Sequence, residues 1–521
     1  MPTVPVLLAE VVATSAEVAA TRSRTAKRDL LAALLRRLGP DEIVPTVGFL
    51  TGEPVQGRIG VGWRTLAAAR DDGARPAALA TLTVTEVDAT LADLAGLRGP
   101  GSNAARRARV VGLLARATDD EATFLFRLLT GELRQGALAG VVTDAVAAAA
   151  GVPTAPVRRA AMLGGDLPLI ARLAMVEGAD GLGRVQLRPG RPVQPMLAST
   201  ADDVAAAVGA LGTAVVDWKL DGIRVQVHRT AGEVRAWTRN LNEITDRLPE
   251  VCDLVAGWPG GDLVLDGEAL VVDSDLRPVP FQDTASRVGG DDPDRVRAGG
   301  QGVRPWFFDL LHRDGVDLID APLTERRAAL RDLAGSWCIP GEATDDPDVA
   351  AAVLAAALDA GHEGVVVKDA VSPYAAGRRG KAWLKVKPVH TLDLVVVAAE
   401  WGHGRRTGWL SNLHLAARDP DPDADGFVMV GKTFKGLSDE LLTWQTGALG
   451  RIATGEAHPE GDHVVAVRPE LVVEIAVDGV QRSTRYPGGV ALRFARVIGY
   501  RPDKDPADAD TIDDVRRLGR P

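Results

Sequence analysis

The stretch DWKLDGIRVQVHR (217–229) joins a β-strand to an Asp-Gly turn signal and to a second strand with alternating apolar residues. By itself this pattern fits an ordinary hairpin, because Asp-Gly is a strong hairpin signal. Lys219, between Asp217 and Asp221 and with Arg224 nearby, also suits a nucleophile held against a phosphate group. The stretch alone does not separate these two interpretations.

Further short strands follow along the chain: LVLDGEALVVD (263–273), EGVVVKD (363–369) and AWLKVKP (382–388). The first fits a second hairpin at Asp-Gly, the second an ion pair across a strand, and the third two lysines on one face of an exposed edge strand. Helical pieces intervene, such as LTERRAALRDLA (323–334). The alternation predicts an α+β domain with antiparallel sheets.

The pattern of apolar residues changes both before and after this strand-rich region. Upstream, segments such as KRDLLAALLRRL (27–38) space their apolar residues at three and four, which predicts helices up to about residue 185. RVQLRPGRPVQP (184–195) has no periodicity and is typical of a linker. Beyond Pro388, about five strands with turn-rich spacing predict a small closed β-barrel of the OB-fold type. We therefore predict three domains, with boundaries at 1–185, 186–388 and 389–521.

Composition excludes several broad classes of protein. The chain has 521 residues, of which 46% are hydrophobic and 25% are charged, and this excludes a wholly disordered chain. The sequence has no apolar run of transmembrane length, and the N-terminus has Glu10 and no basic region before its apolar stretch, so we expect neither a membrane span nor a signal peptide. Cys252 and Cys338 are too few for a disulfide framework and wrongly spaced for zinc, which favours a reducing cytoplasm.

Charge and lysine usage add a weaker signal. The formal net charge is −10, yet residues 1–195 hold 23 Lys and Arg against 19 Asp and Glu, which is compatible with a local DNA-binding surface. Only nine of the 60 basic residues are lysines, and four of these lie between residues 368 and 387. In a chain that favours arginine, a lysine is retained where an amine must lose its proton and attack an electrophile.

Taken in order, these motifs are more specific than any one of them. KLDGIR (219–224), TRNLNE (238–243), LDGEAL (265–270), FFDLL (307–311), EGVVVK (363–368) and WLKVK (383–387) resemble the ordered motifs of covalent nucleotidyltransferases, and most closely those of ATP-dependent DNA ligases. PVQPMLA (192–198) resembles the entry to that family's adenylation domain, and LRFARVIGYRPDK (492–504) its last motif. The helical N-terminal third, with LTGELRQG (129–136), is similar to its DNA-binding domain. The resemblance implies a multidomain fold: an all-α DNA-binding domain, an α+β nucleotidyltransferase (adenylation) domain and a β-barrel OB-fold domain.

The resemblance also implies roles for individual residues. Lys219 is expected to attack the α-phosphate of ATP and to become Lys-AMP. Glu268 is expected to hold the ribose hydroxyls, and Phe308 to stack on adenine. Asp217 is expected at the adenine edge, where the family usually has glutamate, one methylene longer.

Cationic residues are expected around the phosphate groups. Arg224, Arg239 and Arg379 are expected to contact phosphate or ribose, with Arg378 as the alternative to Arg379. Lys385 and Lys387 are expected to stabilise phosphate oxygens and, as like charges, to lower the pKa of the nucleophilic lysine.

The same resemblance implies a metal and a pyrophosphate site. Glu363, together with Glu268, is expected to bind Mg²⁺ or Mn²⁺, because these ions prefer oxygen ligands. Arg501, Asp503 and Lys504 are expected to orient the leaving pyrophosphate when the barrel closes over ATP.

The sequence therefore predicts an ATP-dependent DNA ligase that seals nicks in duplex DNA during replication, repair or recombination. Its expected partners are ATP and nicked double-stranded DNA, and we expect a cytoplasmic, nucleoid-associated monomer of a bacterium. Alternatives within the superfamily are an RNA-capping guanylyltransferase and an RNA ligase, against which the long helical N-terminal third argues. A non-catalytic DNA-binding protein on a ligase fold is a third alternative, but it predicts a broken motif, whereas Lys219, Glu268, Glu363 and Lys385 are all present.

Overall fold

The computed structural model describes residues 4–57, 59–71, 76–133, 135–136, 139–289, 302–375, 379–421 and 426–519, with the backbone alone at residues 70, 71 and 379. The chain forms three successive parts, which we call the N-terminal, central and C-terminal segments. They meet near residues 185 and 388, and each contains a hydrophobic core of its own.

The N-terminal segment is built from helices. Among its described residues, an isolated antiparallel bridge pairs Leu7 with Thr83. Side-chain hydroxyls cap several helices at their first turn, among them Ser23, Thr83 and Thr118. In the described ranges, no helix is long and apolar enough to cross a membrane. The helices are α1 (Leu8–Ala20), α2 (Arg24–Leu35), α3 (Pro40–Thr51), α4 (Trp63–Asp71), α5 (Val84–Gly96), α6 (Ser102–Arg116), α7 (Asp119–Leu129), α8 (Ala139–Ala150), α9 (Thr154–Gly164) and α10 (Leu167–Gly183).

The central segment contains two five-stranded sheets with helices packed on them. One sheet has the order β1-β10-β9-β2-β8, in which β1 and β10 are parallel, and the other has the order β4-β3-β5-β6-β7. The elements are β1 (Leu197–Thr200), α11 (Val204–Leu211), β2 (Ala214–Lys219), β3 (Ile223–Thr230), β4 (Glu233–Thr238), α12 (Pro249–Ala256), β5 (Leu263–Val271), α13 (Phe281–Gly289), β6 (Val303–Arg313), β7 (Val316–Asp317), α14 (Leu323–Ala334), β8 (Gly341–Thr344), α15 (Pro347–Asp359), β9 (Gly364–Asp369) and β10 (Arg379–Val386).

The Asp221-Gly222 turn does not close a hairpin. β2 pairs with β8 and β9, whereas β3 pairs with β4 and β5, so the turn carries the chain from one sheet to the other. A Cβ atom at Gly222 would lie 2.6 Å from the carbonyl oxygen of Ala269, so only glycine allows this close approach. The hairpin interpretation of residues 217–229 is therefore wrong, and Lys219 lies where the two sheets meet.

The second Asp-Gly pair is not a hairpin turn either. Asp266 and Gly267 lie inside the continuous strand β5, where the register against β6 shifts by one residue. A Cβ atom at Gly267 would lie 2.7 Å from the carbonyl oxygen of Trp306, which explains the glycine. The extra residue at this shift is Phe308, so the dipeptide lies opposite a bulge in β6.

The C-terminal segment contains a six-stranded antiparallel sheet, a two-stranded sheet and two helices. The larger sheet follows the order β13-β12-β11-β15-β18, with β14 also paired to β11, and β16 pairs with β17. The elements are β11 (His390–Trp401), β12 (Leu410–Arg418), β13 (Phe427–Thr433), α16 (Asp439–Arg451), β14 (Val464–Ala466), β15 (Val472–Val477), β16 (Gly479–Arg482), β17 (Val490–Arg493), β18 (Arg496–Tyr500) and α17 (Ile512–Arg517).

The expected closed barrel is not formed as a continuous ladder among the described strands. β13 ends at Thr433, and only the segment just beyond it meets β18. There the Val497 amide donates to the carbonyl of Lys435 at 2.9 Å, and the Thr433 hydroxyl donates to the carbonyl of Ala495 at 2.6 Å. The two ends of the sheet therefore touch without pairing along their length.

The N-terminal and central segments share a hydrophobic core. Met162 and Leu163 of α9 are buried with Val193, Phe308 and Trp383 in one cluster. The stretch between the segments is fixed by hydrogen bonds as well, and does not behave as the free linker that its sequence predicts. The side-chain amide of Gln226, for example, bonds both the amide and the carbonyl of Val193.

Buried His228, which contacts the stretch between the N-terminal and central segments, makes the free energy of unfolding depend on pH. Its Nδ1 accepts from the Gly190 amide at 3.0 Å and its Nε2 faces the Gln226 oxygen at 2.9 Å, while burial, reinforced by His312, lowers the pKa of His228 to about 3. Unfolded chains take up a proton near pH 6.5 and folded chains do so only near 3, so stability falls as pH drops through this window.

We expect His228→Gln to weaken that pH dependence. Between pH 7 and pH 4, the wild type should lose about 3 kcal/mol more free energy of unfolding than the variant. Urea denaturation at the two pH values measures this difference. Parallel losses in both proteins would show that His228 is not the responsible group.

Candidate active site

A cavity of about 340 Å³ lies where the two central sheets meet. It is polar at one end, around Lys219, and aromatic at the other, around Phe308. The lining residues are Leu197, Ala198, Asp217, Trp218, Lys219, Leu220, Gly222, Arg224, Arg239, Glu268, Phe308, Ile339, Val366, Lys368, Trp383 and Lys385. Residues from motifs far apart in sequence thus share one pocket.

Lys219, the last residue of β2, lies opposite Gly364 of the neighbouring strand β9. That register brings the carboxylate of Glu363 onto the Lys219 ammonium group as an ion pair. Burial opposes the charge on Lys219, but Glu363, with help from Glu268 and Asp221, outweighs burial and raises the pKa of Lys219. This direction is opposite to the expected one, because the nearest charged groups are carboxylates.

Glu268 faces the same ammonium group from the other sheet. Burial raises the pKa of Glu268 to about 7, although Lys219 and Arg224 favour its ionised form. Together, Glu268 and Glu363 place two carboxylates around one cation.

The inner end of the cavity is aromatic. The rings of Phe308 and Trp383 meet edge to face with their centroids 5.9 Å apart. The ammonium nitrogen of Lys368 lies 4.5 Å from the Phe308 centroid and 4.4 Å from that of Trp383. An apolar slot with one cationic wall suits a flat heterocycle.

Asp217 lies beside this slot and is held on two sides. Its carboxylate pairs with Arg327 of α14 and, at 2.8 Å, with Lys368 of β9. The Asp217 side chain is 1% exposed, so these partners fix its orientation. Asp217, which is one methylene shorter than the glutamate usual in the resembling family, is therefore anchored by two cations.

The arginines expected at the phosphate groups occupy different positions. Arg224 binds Asp266 with contacts of 2.6 and 3.0 Å and donates to the Met196 carbonyl at 2.6 Å, so much of its hydrogen-bonding capacity is used inside the protein. Arg239 is exposed at the rim of the cavity. Arg379 begins β10, and Arg378 lies outside the described residues.

The two lysines of WLKVK point to different partners. Lys385 lines the cavity. Lys387, beyond the end of β10, binds Asp478 of the C-terminal segment at 2.6 Å. The sequence predicts that Lys385 and Lys387 lie on the same face of one strand. The strand ends at Val386, so Lys387 lies outside it.

The C-terminal segment reaches the site through Arg493. Its guanidinium group contacts Asp221, two residues from Lys219, at 2.6 and 3.3 Å, and lies 3.9 Å from Glu363. A second contact between these segments joins Arg482 to Asp283 at 2.6 Å. These ion pairs hold the C-terminal segment against the mouth of the cavity.

The structure does not bring the expected pyrophosphate residues to the cavity. Arg501 and Lys504 both pair with Asp393 of β11, and Arg501 also pairs with Asp503 at 2.7 Å. In this arrangement the side chains of Arg501, Asp503 and Lys504 are paired within the C-terminal segment itself.

Comparisons with known proteins bear on the identity of this site. The sequence model described as "ATP dependent DNA ligase domain" matches residues 195–387, "ATP dependent DNA ligase C terminal region" matches 406–504, and "DNA ligase N terminus" matches 68–147. A "Probable DNA ligase" of Rhodococcus jostii (strain RHA1) is 55% identical over 98% of this chain and 99% of its own length. The chain belongs to the ATP-dependent DNA ligase family. The ligase assignment is thereby confirmed, and the superfamily alternatives are not favoured.

Other relatives agree with this assignment. A "Probable DNA ligase" of Saccharopolyspora erythraea is 54% identical over 99% of this ligase and 98% of its own length. Among solved structures, "Pmar-Lig_PreS3" matches with a TM-score of 0.59 at 18% identity, covering 94% of this ligase and 99% of that chain. At this identity the structural match supports the fold alone.

Sequence reasoning missed two residues that line the ligase cavity, Lys368 and Trp383, and two arginines that pair with carboxylates beside it, Arg327 and Arg493. Lys368 and Trp383 lie within quoted motifs, and their strand neighbours were enough to place them near the site. Arg327 gave no comparable signal, because its partner Asp217 is 110 residues away. Arg493 lies in the last motif (492–504), from which the sequence analysis selected only Arg501, Asp503 and Lys504 as functional residues.

A second group of potential metal ligands lies in the C-terminal segment. Glu400, His414 and Glu460 place ligand atoms within 4.8 Å of one another. The ammonium group of Lys432 already lies between the two carboxylates, 2.7 Å from Glu400 and 2.5 Å from Glu460. The lysine supplies the cation for this cluster.

Loss of the Phe308 ring should weaken ATP binding by this ligase. We expect Phe308→Ala to cost about 1–3 kcal/mol, because the adenine loses a stacking surface. The ATP concentration for half-maximal self-adenylation measures the effect, with the exposed Trp444→Ala as an aromatic control. An unchanged ATP dependence in Phe308→Ala would contradict the role.

Proposed function

We propose that this ligase seals nicks in duplex DNA through a lysyl-AMP intermediate on Lys219. The observation that supports this most strongly is the cavity itself, in which one lysine lies between two carboxylates and beside an aromatic slot. The slot would hold adenine stacked on Phe308, and Asp217 would accept from its amino group. The ribose hydroxyls would then contact Glu268.

In the first step, the Lys219 nitrogen attacks the α-phosphorus of ATP. A P–N bond forms, the bond to pyrophosphate breaks, and the ammonium group must first lose a proton. Glu363 is in contact with that ammonium group and is the group placed to accept the proton. Lys385 would stabilise the phosphate oxygens from β10 and Arg239 from the rim, and Arg379 is proposed to join them.

Glu363 and Glu268 also fit a divalent cation. Both carboxylates already act on one cation, the Lys219 ammonium, and oxygen atoms are the ligands that Mg²⁺ and Mn²⁺ prefer. A bound ion would neutralise negative charge on the phosphate groups.

In the second and third steps, AMP passes to the 5′-phosphate of the nick and is then displaced by the 3′-hydroxyl. DNA must reach the face that the C-terminal segment covers through Arg493 and Lys387. We propose that this segment swings away after the first step, about a hinge near Pro388. Arg501 and Lys504 would leave Asp393 to contact pyrophosphate in the first step, and Asp503 would orient Arg501.

The three segments would then be functional domains. Residues 1–185 would bind DNA as an all-helical domain, residues 186–388 would form the adenylation domain, and residues 389–521 an OB-fold barrel. We further propose that the ligase acts as a monomer on the bacterial nucleoid in replication, repair or recombination.

Nick sealing on a defined duplex tests the proposal. The substrate carries one 5′-phosphate nick, and reactions contain Mg²⁺ with ATP, NAD or no nucleotide. We expect sealing with ATP alone and none after Mg²⁺ is removed by EDTA. Sealing with NAD, or equal sealing without nucleotide, would contradict the proposed reaction.

A further inference from the structure

Lys27 is the single lysine among the first 195 residues, and the reaction at Lys219 gives it no role. It lies on α2, where it is 9% exposed. Its ammonium group donates to the carbonyl oxygens of Gln135 and Gly136, each at 3.1 Å. These two residues end the LTGELRQG sequence (129–136), which follows α7.

Gln135 is the buried anchor of that sequence. It is 4% exposed, its Nε2 donates to the Leu50 carbonyl on α3, and its Oε1 accepts from the Ser15 hydroxyl on α1 at 2.5 Å. With Lys27 on α2, three helices therefore hold one residue. Gly131, Glu132 and Gly136 are exposed, so the anchor lies beneath a surface loop.

The contact between residues 27 and 136 suits a lysine at the first position and a glycine at the second. Gly136 has a φ of +67°, and a Cβ atom there would lie 2.7 Å from the Lys27 nitrogen. A compact ammonium group fits between the two carbonyls, whereas a planar guanidinium group is larger. This explains why lysine is retained here in a chain that otherwise favours arginine.

We propose that Lys27 is a positioning residue for DNA binding: it fixes the Gln135–Gly136 backbone, near the exposed residues Gly131 and Glu132, before the nicked duplex arrives. The inference rests on the proposed function, in which the N-terminal segment binds DNA. A loop that is ordered beforehand does not lose its freedom on binding, and affinity is higher for that reason. The Lys27 ammonium group itself does not contact DNA phosphates.

The test uses the full chain and a fluorescent nicked duplex at several salt concentrations. We expect Lys27→Met to raise the Kd by at least about tenfold, because the buried carbonyl of Gln135 and the partly buried carbonyl of Gly136 both lose the Lys27 donor. The slope of log Kd against log salt should match that of the wild type, since no phosphate contact is lost. Self-adenylation with ATP should be unchanged. Arg28→Met, which removes an equal charge from a partly exposed neighbour, should leave the Kd within about twofold.

Gly136→Ala is the second variant and keeps the proposal testable if Lys27→Met does not fold. Its methyl group would displace the Lys27 ammonium group and strain the backbone at a φ of +67°, so we expect the same rise in Kd with the same salt slope. Unchanged affinity in Lys27→Met or Gly136→Ala would overturn the positioning role. A salt slope lowered by about one in Lys27→Met would show a direct phosphate contact instead and would also overturn it. Failure of the wild type to bind nicked DNA would contradict the proposed function itself.

Discussion

Replacing Lys219 by arginine should abolish the covalent enzyme–AMP adduct, with a loss of at least about 10³-fold in self-adenylation. The positive charge and the ion pair with Glu363 can both persist in this variant. Guanidinium, however, stays protonated and cannot offer a lone pair to phosphorus. The loss therefore separates nucleophilic attack from simple electrostatic binding of ATP.

The matched control is Lys381→Arg. Lys381 lies on β10, is exposed and does not line the cavity. Radiolabelled ATP followed by a denaturing gel measures the adduct in both variants. Near-normal labelling of Lys219→Arg would contradict the nucleophile assignment, and loss of labelling in Lys381→Arg would show a general effect on the sheet.

Removing the cations of the last motif should damage only the first step. We expect Arg493→Ala and the double variant Arg501→Ala/Lys504→Ala each to slow self-adenylation by about 10²-fold, the usual cost of losing a charge-stabilising donor. Pyrophosphate leaves in that step alone, so sealing of a nick that already carries 5′-AMP should be nearly unchanged. Arg493 holds the C-terminal segment closed in the structure, and Arg501 and Lys504 are proposed to act after leaving Asp393.

Two rates on each protein decide this prediction. Single-turnover adenylation with ATP measures the first step, and sealing of a pre-adenylated nick measures the last. Arg405→Ala is the control, since its exposed ion pair with Asp439 lies within the C-terminal segment. Equal losses in both assays would indicate misfolding or general DNA contact, and the closing movement would have to be abandoned.

The sequence predicts the family well because the motifs must occur in one order around a single cavity. That prediction is confirmed, and Lys219, Glu268, Phe308 and Lys385 do line one pocket. Lysine scarcity also carries information. It points to Lys219 and to the four lysines between residues 368 and 387, whereas the burial of Lys27 emerges only from the structure.

The sequence predicts strand pairing less well, because a turn signal is local and a strand's partner is not. Asp221-Gly222 has the dipeptide of a hairpin, yet the long-range pairing of β2 with β9 and of β3 with β5 sends the two strands to different sheets. Asp266-Gly267 has the same letters, yet it lies inside the continuous strand β5, opposite a bulge in β6. Ion pairs such as Arg327 with Asp217 depend on the packing of α14 and have no sequence pattern of their own.

The site's electrostatics also could not be predicted from motif spacing. The sequence suggests cations around Lys219, whereas the folded chain surrounds it with Glu363, Glu268 and Asp221. The reason is geometric: the register of β9 brings Glu363 onto Lys219, and Lys387 pairs with Asp478 instead.

The most direct test of the central claim is to locate AMP on the chain. The ligase is incubated with ATP labelled at the α-phosphate, one portion is digested for mass spectrometry, and nicked duplex is added to the rest. We expect AMP on Lys219 alone, followed by transfer of the label to the 5′ end of the nick and its release as free AMP when the nick closes. AMP on any other residue, or sealing without protein-bound AMP, would contradict the account.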